Sequence, residues 1–109
     1  MIEIKAGVRL HGIRPELVLA VHIAEGLWMA AGAPSLVITA CIEGQHTAAS
    51  DHYSGCAVDF RTKNLPEGKA ETMRAALMTA LGDDFFVLHE NAGLANDHVH
   101  LSFRPKNPY

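Results

Sequence analysis

Apolar residues recur at helical spacing from Pro15 onward, with Leu17, Val18, Val21, Ala24, Trp28 and Ala31 along one side, which predicts a long first helix. Pro15 suits its first turn, where an N–H would find no partner, and Gly32 and Pro34 mark its end. A short extended segment precedes it. Ser35 to Ile42 is a nearly continuous apolar run rich in β-branched side chains, bounded by Pro34 and Gly44, and reads as a buried strand. A polar loop, Glu43 to Ser54, follows. From Gly55 to Arg61 the pattern alternates: Cys56, Val58 and Phe60 face one way, and Gly55, Ala57, Asp59 and Arg61 the other.

A second helix is predicted from about Pro66 to Leu81, with Ala70, Met73, Leu77 and Leu81 on one side and Gly82 as its stop. Two strands close the chain, about Phe85 to Glu90 and His98 to Arg104, joined by a loop containing Asn91, Gly93, Asn96 and Asp97. The order αββαββ is an α+β arrangement in which helices cover one face of a small, largely antiparallel sheet. The other face is left for a cleft.

Length narrows this to one domain over residues 1–109, since 109 residues build one core but not two. Nine basic side chains stand against twelve acidic ones, for a net charge of −3, with no dense Lys/Arg run, so a nucleic-acid partner is not expected. No run of about eighteen apolar residues occurs, and Met1 to Lys5 lacks the layout of a secretory signal. A soluble monomer made in the cytoplasm without its own export signal, and without a membrane partner, is the expectation. Cys41 and Cys56 are too few for a disulfide framework and read as buried thiols.

Seven histidines are the compositional anomaly. In the last strand Val99, Leu101 and Phe103 share one face, leaving His98, His100 and Ser102 on the opposite one. Asp59 shares its face with Gly55 and Ala57, which are small enough to leave room for an ion and a substrate. His52 lies before this strand across a tight turn and can fold back toward Asp59. If the two strands are neighbours, His52, Asp59 and His100 form a two-imidazole, one-carboxylate set that suits one Zn²⁺ per chain and leaves a fourth position for water. Hydrolysis also needs proton transfer and oxyanion stabilisation. Asp97, three residues before His100, is the candidate general base, and His98 the candidate oxyanion donor or proton shuttle.

Around this centre the readings divide. His46 either lines the cleft or decorates a loop. Ser50 is a hydrogen-bond partner for the loop or for a ligating histidine. Arg61 either binds a substrate carboxylate or makes a surface ion pair, and Glu90 either supports a ligand or is an ordinary edge charge. His11, His22 and His89 read as histidines without a ligand role, and Trp28 as helix core.

The segment Ser50-Asp51-His52-Tyr53-Ser54-Gly55-Cys56-Ala57-Val58-Asp59 resembles the S-x-H-x-x-G-x-A-x-D signature of zinc D-alanyl-D-alanine carboxypeptidases and phage endolysin L-alanyl-D-glutamate peptidases. Asp97-His98-Val99-His100 resembles their second signature, and the likeness extends over about residues 35 to 105. Glu43 and Cys56 stand where members often carry aspartate and arginine. By position, the resemblance implies zinc ligands His52, Asp59 and His100, catalytic Asp97 with His98 in support, and the hedgehog/DD-peptidase fold. It implies a peptidase cutting peptidoglycan stem peptides by metal-activated water, of phage or prophage origin, acting on the cell wall after release or as part of a phage particle. The rival expectation is a non-catalytic zinc-stabilised binding or structural domain of the same fold, such as a tail component.

Overall fold

A computed structural model describes residues 1–42 and 55–106. Its elements are β1 (Ile2–Ile4), α1 (Pro15–Ala30), β2 (Leu36–Ala40), β3 (Ala57–Arg61), α2 (Ala70–Leu81), β4 (Phe85–Glu90) and β5 (His98–Phe103). The strands form one five-stranded sheet in the order β1-β2-β3-β5-β4. β1 runs parallel to β2 and every other pair is antiparallel, so the sheet is mixed. The α+β class is as expected, while the N-terminal extended segment proves to be a paired strand.

Both helices lie on one face. Leu17, Ala20, Val21, Ala24 and Trp28 of α1, with Met73 and Leu77 of α2, join Ile38, Val58, Phe60, Val87, Val99 and Leu101 of the sheet in a single core. Val18, expected to face inward, is 45% exposed. Leu17, Ala20, Val21, Ala24 and Trp28 already fill the i, i+3, i+4, i+7, i+11 stripe that faces the sheet, and Val18, one step of about 100° from Leu17 on the side away from that stripe, falls at its edge. Gly32 ends α1 as expected, at φ +106°.

The second helix begins at Ala70 rather than near Pro66. Gly68 takes φ +78°, a left-handed conformation that interrupts helical hydrogen bonding, so residues 66–69 form a turn. Glu67 therefore falls outside the helix, and Glu71 alone supplies the acidic first turn.

Two contacts position β3. Trp28 is fully buried, meets Phe60 edge-on at 5.6 Å between ring centres, and donates its indole N–H to the Arg61 carbonyl at 3.1 Å. It is thus core, as read from sequence, and it clamps the end of β3 from below so that Asp59 and Arg61 face the other side. Gly55 has φ +74° and packs where a β-carbon would collide with the Gly12 carbonyl, while its own carbonyl accepts the Arg14 N–H at 3.0 Å. The glycine seats the entry to β3 against the segment that leads into α1. Cys41 is buried and Cys56 half-buried, both as thiols.

Candidate metal centre

The helix-free face of the sheet carries three transverse rows set by strand register: Arg61, His98 and Glu90; Asp59, His100 and Leu88; Ala57, Ser102 and Phe86. Side chains on one face of paired strands lie about 5 Å apart, so alternation plus register alone brings five ionisable groups together. Asp59 is 8% exposed although it belongs to the face without helices. A carboxylate removed from water needs compensating partners.

Its two oxygens meet two imidazoles. His100 Nδ1 lies 2.9 Å from Asp59 Oδ1, and His98 Nε2 lies 3.6 Å from Asp59 Oδ2. Glu90 Oε1 sits 3.1 Å from His98 Nε2 and 3.8 Å from His100 Nδ1. Among the described residues, Asp59, Glu90 and His98 bring one ligand atom each within 4.8 Å of one another and can hold a metal ion. His100 adjoins the group through both carboxylates.

The hydrogen bonds at the far side of each ring fix which nitrogen is available. His98 Nδ1–H donates to the Asn96 carbonyl at 2.7 Å, which leaves the Nε2 lone pair of the neutral ring facing Asp59 and Glu90. Burial pulls the His98 pKa down, but the Asn96 carbonyl and the Asp59 and Glu90 carboxylates outweigh it, and the ring titrates above its ordinary 6.5. His100 Nε2 meets the Ser102 hydroxyl at 2.6 Å, and Ser102 is fully buried. Because a hydroxyl both donates and accepts, Ser102 can support either tautomer, including the one with Nδ1 bare toward Asp59.

Carboxylate oxygen and imidazole nitrogen together are donors that suit a divalent ion, zinc among them, and Asp59, Glu90 and His98 are the three described residues whose ligand atoms converge closely enough to share one. Two carboxylates beside two imidazoles also favour a divalent cation.

Of the residues singled out from sequence, Asp59, His98, His100, Arg61 and Glu90 share this face. His52, His46 and Ser50 lie outside the described residues. Glu90, open between support and edge charge, touches both imidazoles and stands within ligand range, as does His98, which was read only as a proton-transfer group.

Asp97 is engaged differently. It lines the same cleft as Asp59 and His98, but its carboxylate accepts hydrogen bonds from the Thr62 hydroxyl and, at 2.8 Å, from the Gly93 N–H, and it meets His89 Nε2 at 2.8 Å. Burial raises the Asp97 pKa, yet the bonds from Thr62, Gly93 and His89 outweigh it and hold the group at about 2. It is a fixed anion at every pH where hydrolysis would be measured. His89, read as having no ligand role, thus orients Asp97, and Thr62 was not singled out at all. The signal for His89 was present: alternation puts it on the face of β4 opposite Glu90, beside the start of β5.

A pH dependence follows from the depressed Asp97 pKa. A carboxyl titrating near 3.8 when unfolded and about 2 when folded contributes stability that is complete above about pH 5 and lost as pH falls through 4 toward 2. The contribution is on the order of 1–2 kcal/mol after allowing for partial exposure. Urea unfolding between pH 6 and pH 2.5 should show it, and Asp97→Asn should flatten that acid limb. An unchanged acid limb in the variant would rule this account out.

No family model matches the chain, and no curated protein matches it.

Proposed function

We propose that this chain is a zinc-dependent peptidase of the hedgehog/DD-peptidase fold that hydrolyses stem peptides of bacterial peptidoglycan. The observation that carries the reading is the buried Asp59 carboxylate, flanked by His98 and His100 on the face of the sheet opposite α1 and α2. The signature resemblance over Ser50–Asp59 and Asp97–His100 supplies the substrate class.

His52, Asp59 and His100 would hold the zinc, with His98 beside Asp59 and Glu90 beside His98 and His100. Zinc bound there supplies Lewis acidity toward a peptide carbonyl. Ser102 holds the His100 ring through Nε2 in either tautomer, and Glu90 orients His98. Asp97, held as an anion on the cleft wall by Thr62, Gly93 and His89, would take the attacking water's proton only transiently and pass it to the leaving amine nitrogen. His98 donates to the oxygen that gains charge as the peptide bond opens. The antiparallel pairing of β3 and β5 holds these groups on rigid backbone, which limits what must reorganise when substrate arrives.

Elemental analysis of the purified protein should find about one zinc per chain. Muropeptides should be cleaved, the cleavage should stop with a chelator, and added zinc should restore it. Protein refolded with zinc that contains no stoichiometric metal would overturn the reading.

A further inference from the structure

One end of the cleft is built by cations. Lys5, immediately after β1, Arg61 at the end of β3, and Lys63 in the following turn line a cavity of about 360 Å³ together with Asp59, Asp97 and His98. The three come from separate places in the sequence, and the sheet gathers them: the Lys5 N–H bonds the Ile38 carbonyl at 3.0 Å, extending β1 alongside β2, while β3 delivers Arg61. Among the described residues none of the three is within ion-pair reach of a carboxylate. The acidic side chains nearby are otherwise committed. Asp59 is engaged by His98 and His100, Asp97 by Thr62, Gly93 and His89, and Glu3, on the same strand as Lys5, by the Ser35 hydroxyl at 2.8 Å.

We propose that Lys5, Arg61 and Lys63 form a carboxylate-binding subsite beside the metal centre, so that the peptides this cleft prefers carry an anionic group at that end. The inference deepens the peptidase reading and rests on it only for the identity of the ligand as a peptide. An arginine offers a planar fork to a carboxylate, and two ammonium groups on flexible stems add attraction without fixing geometry. The opposite end of the open face offers Leu88, exposed and apolar, and Phe86, also exposed, with the Arg104 guanidinium 5.2 Å from its ring centre. An extended peptide laid from β4 toward β1 would thus meet an apolar edge, the imidazole–carboxylate centre, and then positive charge.

Binding separates this from catalysis. The zinc-supplied protein is titrated by calorimetry with acetyl-alanyl-glutamine amide, which is neutral; acetyl-alanyl-glutamate amide, charged on its side chain; and acetyl-alanyl-glutamine, charged at its terminus. A charged peptide should bind about tenfold more tightly than the neutral one, as expected of several partly exposed ion pairs acting together, and the advantage should shrink in high salt. Whichever charged peptide binds better identifies the source of the carboxylate. The triple variant K5Q/R61Q/K63Q should bind all three peptides alike. K5Q/K63Q, altered only at exposed positions, should lose part of the preference even if the Arg61 change disturbs folding. Equal binding of the three peptides, no detectable binding, or a preference that survives the triple variant would each overturn the subsite. A charge preference without any muropeptide hydrolysis would instead remove the peptidase reading and leave the subsite standing.

Discussion

Asp59→Ala should abolish stoichiometric zinc binding and take the proposed peptide hydrolysis to background, the largest effect expected of any single substitution. Asp59 is the only buried carboxylate among the described residues, and both of its oxygens face imidazoles. Its loss removes the negative charge that a divalent ion needs and takes from His100 Nδ1 its partner at 2.9 Å, at a cost of about 1–3 kcal/mol to the fold. Sharing the free energy of a zinc site over its ligands, one ligand is worth on the order of a thousandfold in affinity. Competition with a chromogenic chelator measures this directly. Asp59→Asn keeps the shape and separates charge from packing; it should bind zinc as poorly as the alanine variant.

The same assay resolves which groups ligate. With His52, Asp59 and His100 as ligands, His100→Ala should match Asp59→Ala, while Glu90→Gln should weaken zinc only about 10–100-fold, as expected of a residue that orients a ligand. The reverse pattern, with zinc lost in Glu90→Gln and His98→Gln and kept in His100→Ala, would place the ion on Asp59, Glu90 and His98.

Asp97→Asn gives the second large effect: turnover falls about 10²–10⁴-fold, the usual worth of a positioned proton acceptor, with zinc content still near one per chain. Asparagine keeps the size of the side chain and one oxygen for the Gly93 N–H but cannot take up a proton. Muropeptide turnover and elemental analysis on one sample separate the possibilities. Turnover that survives while acid stability changes would make Asp97 a brace for the loop before β5. It would then leave proton transfer to His98, whose replacement by glutamine should show the larger loss. A zinc-stabilised binding domain would show neither loss, because it performs no chemistry for these residues to support.

The elements that were legible in the sequence are those whose pattern is local. The apolar stripe from Leu17 to Trp28, the stop at Gly32, and the alternation of Val99, Leu101 and Phe103 against His98, His100 and Ser102 all express geometry that repeats every few residues. The start of α2 was misplaced because Pro66 and Glu67 look like a first helical turn while the left-handed Gly68 interrupts it. β1 was read only as an extended segment, since three residues carry too little periodicity to announce a partner.

The site divides along the same line. Sequence alone placed Asp59, His98 and His100 on outward faces, because alternation depends only on the chain's own pleat. Only the tertiary structure made these faces one face, through the register that sets Asp59 opposite His100 and Arg61 opposite His98. It also brought Glu90 to His98, His89 and Thr62 to Asp97, and Lys5 to Arg61 and Lys63. Such contacts join residues far apart in the chain, and they arise because burying the helix-covered face in an apolar core leaves most polar residues of the strands to share the other, with His89 the exception that reaches Asp97 from the helix side.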